Sequence, residues 1–205
     1  MAVAMAAIVA SGVGWLARPG AEPEPPAAAG PPRIARPAEA ATFSPPPPSC
    51  GTVERAFDPR TITVPGVRRG VSVVTPPRDA DGVPGVPALT NGGKSVFAWD
   101  REQGVRPGDA AGNVLLNAHT WPDGSALGNR LLSGLRRGDR IVVLGDGARL
   151  CYRVTERVEV PAERDMPRYF STDGPPQLAI VVCSGRRLGP GVWEKRTVWF
   201  ASPSP

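Results

Sequence analysis

The chain has 205 residues, including 26 Pro and 24 Gly, and a formal net charge of +5. That length suits one folded domain with additions. Arginine falls in scattered pairs such as Arg68–Arg69, Arg136–Arg137 and Arg186–Arg187, without an interleaved aromatic stripe, which argues against a nucleic-acid partner. Three cysteines and a single histidine with no Cys-x-x-Cys spacing give little support to a zinc site.

Residues 1–17, "MAVAMAAIVASGVGWLA", carry no charged side chain. The stretch is at the lower limit for crossing a bilayer and also fits the apolar part of a signal peptide. It is expected to be an N-terminal membrane anchor or signal segment. Residues 18–50 are rich in proline and alanine, with eleven prolines between Pro19 and Pro48. Such a chain buries too little apolar area to offset the entropy of ordering it. A disordered, extended stalk is the expectation, and with it a domain outside the cytoplasm, facing the extracellular side of a cell membrane.

Residues 51–205 read as the folded domain, and its character is β. "RTITVPGV" and "VSVVTP" are expected strands, split at Arg68–Arg69–Gly70. "NVLLNAHT" is an apolar strand from Asn113. "RIVVLGDGARLCYRVTERVEV" is a hairpin turning at Asp146–Gly147, a dipeptide that tolerates the positive φ of a tight turn. "LAIVVCS" is a buried strand, and "RTVWFAS" closes the domain. Helix-like pieces are expected only near residues 95–102 and 127–135. Many short strands separated by turn signals predict an all-β barrel or sandwich.

The chemistry gathers at strand ends. In an exported chain cysteines tend to pair, and three cannot all do so. Cys183 ends an apolar strand, where a scaffold presents side chains to a cleft, and is the candidate free thiol. Cys50 and Cys151 either pair or remain separate buried thiols, and the sequence leaves both open. His119 ends its own strand as Cys183 does. If those strands are neighbours running the same way, thiol and imidazole meet, an arrangement suited to acyl transfer. The "KRTVWFA" strand is expected to form a hairpin with the cysteine strand. Alternation then sends Lys195 and Arg196 to opposite faces. Arg196 shares a face with Val198 and Phe200, and its guanidinium suits a developing oxyanion.

The order His119, Cys183, Arg196 on late strands of an exported β-domain resembles the sortases, cysteine transpeptidases of Gram-positive surfaces. "RTITVPGV" is similar to the family's first strand, and "GVRPGDAAGNVLLNAHT" to its approach to the histidine. "LLSGLRRGDRIVVLGDGARLCYRV" resembles the turn and hairpin that follow. "LAIVVCSG" and "KRTVWFA" resemble its cysteine and arginine strands. The actinobacterial class F group is the most similar, being short, stalked and basic.

The resemblance implies an eight-stranded β-barrel with short helices. It implies Cys183 as the nucleophile, His119 as the general acid/base and Arg196 as the oxyanion support, with no cofactor and no bound metal. It further implies cleavage of an LPXTG-like sorting motif in surface proteins and transfer of the acyl group to an amine of a peptidoglycan precursor or a pilin, by a monomer tethered to the membrane. Residues 84–94 and 163–176 are the expected selectivity loops. Two departures bear on substrate preference. Ala179 and Val182 stand where the family motif Thr-Leu-x-Thr-Cys has hydroxyls, and Ala118 precedes the histidine where glycine is common. The competing reading is a non-catalytic exported domain that binds anionic wall polymer, with Cys183 as core.

Overall fold

A computed structural model of the chain describes residues 50–205. The anchor and stalk expectations fall almost wholly on residues 1–49 and lie outside the described residues. The strands are β1 (Thr61–Val64), β2 (Arg68–Val74), β3 (Phe97–Trp99), β4 (Asn113–Ala118), β5 (Arg140–Gly145), β6 (Ala148–Pro161), β7 (Gln177–Gly189) and β8 (Val192–Pro203), with one α-helix, α1 (Leu127–Gly134). They close an eight-stranded barrel in the order β1-β2-β3-β4-β7-β8-β6-β5. Closure removes the unpaired sheet edges that an open all-β layer would expose.

The barrel interior is filled by Ile62, Phe97, Trp99, Leu116, Ile141, Tyr152, Ile180, Val182 and Trp199, among others. A second cluster lies on the outer face of β4, β7 and β8. There Leu115, Ala179, Val198 and Phe200 are covered by Tyr169, with Met166 packed alongside, both from the β6–β7 connection. Those three strands are therefore apolar on both faces, which explains the unbroken runs "VLL", "LAIVV" and "VWFA". Burial of a Leu, Val or Phe side chain contributes about 1.5–3 kcal/mol, so covering both faces anchors these strands more firmly than covering one would.

Most local expectations match. The β5–β6 hairpin turns at Asp146 and Gly147 with φ of 49° and 77°, the left-handed pair that a two-residue turn requires. Helix α1 occupies the expected site and turns Leu127 and Leu131 inward. Three expectations need correction. Cys183 does not end its strand: β7 runs on to Gly189, because the hairpin with β8 continues to pair beyond it, and only the apolar run stops there. Residues 95–102 are not helical: strand β3 sits there between two short 3-10 turns, because Phe97 and Trp99 fill the interior. Arg68–Gly70 do not split two strands but open β2, and the turn falls earlier, where the Val67 N–H donates to Val64 O at 3.0 Å.

Cys50 and Cys151 are joined in a disulfide across 101 residues of chain, and Cys183 is free. The bridge ties the first described residue to the first half of β6.

Candidate active site

Strands β4 and β7 run parallel, and the register pairs Asn117 with Val181 and Ala118 with Val182. One residue further, His119 stands beside Cys183. Strands β7 and β8 run antiparallel, and Cys183 pairs directly with Arg196. The three predicted residues thus form one line across adjacent strands. Alternation puts Cys183 on the outer face with Ala179 and Val181, while Leu178, Ile180 and Val182 point into the barrel. Arg196 shares that outer face with Val198 and Phe200, as alternation requires. Lys195 pairs instead with Ser184, and the Ser184 hydroxyl accepts from Thr197 Oγ1 at 2.8 Å on the inner side.

The histidine end of the line is held by its own backbone. The Thr120 hydroxyl donates to Cys183 O at 2.6 Å, bridging the end of β4 to the cysteine. The Gly128 N–H, in the first turn of α1, donates to His119 O at 2.8 Å. A Cβ on Gly128 would lie 2.5 Å from that oxygen and 2.6 Å from Thr120 Oγ1, so only glycine lets α1 pack here. The Asn129 side chain fixes the following residue, accepting from Trp121 N at 3.0 Å and donating to Trp121 O at 3.1 Å. Neither Thr120, Gly128 nor Asn129 was legible as a site residue from the sequence. The signal, a glycine in a short amphipathic helix after a histidine strand, acquires meaning only once the two are packed.

Burial pushes the Cys183 thiol above the ordinary thiol range, and the nearby Arg196 cation partly offsets that shift. The resting site therefore holds thiol rather than thiolate at neutral pH. His119 Nε2 lies 2.5 Å from the carbonyl oxygen of Pro87. A carbonyl only accepts, so Nε2 carries a hydrogen.

Two irregular segments rest on the outer face of this floor. Residues 76–90 contribute Pro87 O to His119 and Gly85 O to Asn117 Nδ2, the latter at 2.9 Å. Residues 162–176 contribute the Arg168 and Tyr169 carbonyls to Asn113 Nδ2, at 2.6 and 3.1 Å. Arg78 anchors the first segment. Its Nε lies 3.1 Å from both carboxylate oxygens of buried Asp100, and its Nη2 reaches Gln103 Oε1 at 2.8 Å. Gln103 Nε2 donates in turn to Phe170 O at 2.7 Å, linking the two segments. The hydrogen bonds to Asp100 hold the Arg78 guanidinium more firmly charged than usual, against the opposing effect of burial. A separate cavity of about 670 Å³, lined by residues 52–57 and 146–149, contains none of the three aligned residues.

The barrel is similar to solved sortase structures. The pilus-related sortase C of Group B Streptococcus is 14% identical over 75% of this chain and 69% of that one, with a TM-score of 0.53. Sortase C1 from Streptococcus suis is 15% identical, covering 72% of this chain and 73% of that one, at 0.52. The chain has the sortase fold. Sortase C-1 from Actinomyces oris is 17% identical over 72% of this chain and 76% of that one, at 0.51. No family model matches the chain, and no curated protein is similar to it. At these identities the likeness establishes the sortase barrel, while the residues on it have to speak for themselves.

Proposed function

We propose that the chain is a sortase-like cysteine transpeptidase of the class F, actinobacterial type. It acts from the outer side of a cell membrane to which residues 1–17 tether it. The observation that supports this reading is the pairing of Cys183 with Arg196 between β7 and β8, with His119 one residue past the Ala118–Val182 pair of β4 and β7, on a sortase barrel. The hydroxyls beside the line are engaged, Ser184 buried and paired with Thr197 and Thr120 bonded to Cys183 O, which leaves the Cys183 thiol as the group able to attack.

In the first half-reaction Cys183 Sγ, as thiolate, attacks the scissile carbonyl of a sorting motif of LPXTG-like type. The tetrahedral oxyanion is stabilised by the Arg196 guanidinium. The C–N bond breaks, His119 as imidazolium gives its proton to the leaving amine, and a thioester remains. In the second, an amine of a peptidoglycan precursor or pilin attacks the thioester. His119 takes the amine proton, and Cys183 leaves as thiolate. Because the thiol pKa is raised, the thiolate–imidazolium form is a small fraction of the resting protein, and turnover is slow.

Ala179 and Val182 fit this structure through packing. Ala179 lies beneath Phe200 in the outer cluster, and Val182 faces the interior opposite Thr197. Of the two, only Ala179 removes a hydroxyl from the outer face, while Val182 removes one from the interior, and we infer a sorting motif that differs in detail from the one read by Thr-Leu-x-Thr-Cys enzymes. Intact-mass spectrometry after incubation with sorting-motif peptides tests the reading. A thioacyl adduct on the wild-type chain and none on Cys183→Ala is the expected result, and adduct or cleavage with Cys183→Ala overturns it.

A further inference from the structure

Residues 83–90 lie over the floor with the Gly85 and Pro87 carbonyls inward, the Pro87 ring buried, and the side chains of Val83, Val86 and Leu89 outward. Val83, Val86 and Leu89 are 55%, 54% and 80% exposed, while Gly85 O and Pro87 O accept from Asn117 and His119. The two carbonyls are two residues apart on the segment, and the two side chains are two residues apart on β4. The segment thus runs along the outer face of β4 in step with it and in the same direction, as an extended peptide would.

It is held at both ends. Arg78 grips Asp100 on one side, and the Thr90 hydroxyl accepts from Gly93 N at 3.1 Å on the other. Between these points it buries the Pro87 ring and half-buries Pro84, while Val83, Val86 and Leu89 stay exposed, so lifting it costs hydrogen bonds and the apolar contact of one proline.

Asn117 is left half satisfied by this arrangement. Its residue is 8% exposed, its Nδ2 donates to Gly85 O, and its Oδ1 is buried with no partner. Buried polar atoms without partners are rare and costly. An extended peptide main chain supplies both a carbonyl and an N–H, the two groups a side-chain amide needs.

We propose that residues 83–90 are an internal stand-in for substrate, and that Asn117 is a substrate-contacting residue that reads the main chain of an extended peptide at two points. When the segment lifts, Asn117 Nδ2 donates to a peptide carbonyl and Oδ1 accepts a peptide N–H, one strand step from the line of His119 and Cys183. Lifting also frees His119 Nε2 from Pro87. Asn117 then governs how tightly any extended peptide binds, and contributes little to choice among side chains. The inference rests on the transpeptidase reading and extends it to the substrate's backbone.

The test uses the full chain, alkylation of Cys183 by iodoacetamide followed by mass spectrometry, and an internally quenched peptide containing Leu-Pro-Ala-Thr-Gly. Arg78→Ala and Pro87→Gly both loosen the segment by different routes. Each is expected to speed alkylation by about fivefold and to lower KM, the size of one lost hydrogen bond. Asn117→Ala is expected to speed alkylation similarly yet raise KM about fivefold, with kcat little changed. A KM that falls or stays level in Asn117→Ala, with the wild type active, overturns the role of Asn117. Unchanged alkylation in both segment variants overturns the stand-in. Faster alkylation in both variants with no cleavage of the peptide by any form sinks the transpeptidase reading itself, and Asn117's role with it.

Discussion

Strands β4, β7 and β8 are covered on both faces, whereas residues 83–90 leave Val83, Val86 and Leu89 in solvent and hold on through main-chain carbonyls. The aligned residues belong to the first region and the group that caps His119 belongs to the second. A doubly buried sheet fixes Cys183 and Arg196 by register, which no side-chain rearrangement can alter without breaking strand pairs, and His119 follows directly from the end of β4, its backbone held by Gly128. A segment held by a few hydrogen bonds opens at small cost. The difference teaches that the chemistry sits where the fold is stiff and that access to it is governed where the fold is cheap to move.

The rigid region should break hardest at its covalent tie. Bridging a loop of about 100 residues stabilises by about 4–5 kcal/mol on the chain-entropy account. Cys50→Ser is therefore expected to lower stability by about that amount in urea titration, and a loss under 1 kcal/mol would show that the bridge adds nothing to the barrel. Next comes the outer cluster. Phe200 is fully buried against Ala179 and beneath the Arg168 guanidinium, whose Cζ lies 4.0 Å from the ring centroid. Phe200→Ala should cost about 3–5 kcal/mol, measured the same way, and an unchanged midpoint would mean the outer cluster is not part of the stiff floor.

A smaller effect sharpens the electrostatics of the line. Burial disfavours the charged thiolate of Cys183, and Arg196 favours it. The alkylation rate should therefore climb with pH through a midpoint above the ordinary thiol range, and Arg196→Ala should move that midpoint higher still. A lower midpoint in Arg196→Ala would show that the guanidinium does not act on the sulfur. The smallest effect belongs to the covering segment. Val86 is mostly exposed and only its backbone neighbours are engaged, so Val86→Ser should change stability by under about 0.5 kcal/mol. A loss comparable to that of Phe200→Ala would erase the contrast between the two regions.

Legible in the sequence were the strands that carry long apolar runs, the turn at Asp146–Gly147 and the position of His119 just past the end of its strand, whereas Cys183 and Arg196 lie inside β7 and β8 rather than at their ends. Strand alternation limited the face of Cys183 to one of Lys195 and Arg196, and guanidinium chemistry favoured Arg196, which pairs with Cys183. These are properties of adjacent residues, and local periodicity carries them. The strand over 97–99 was read as helix because three residues between turns show no period, and only filling of the interior by Phe97 and Trp99 makes them a strand.

Tertiary structure alone decided that Cys50 bonds Cys151, that β4 lies parallel beside β7, and that Gly128 and Thr120 clamp the histidine. It also decided that residues 83–90 lie across the floor with Gly85 and Pro87 facing Asn117 and His119. The disulfide depends on where two distant strands bring their sulfurs, and the other contacts engage backbone atoms that every residue possesses, so no pattern of side chains along the sequence announces them.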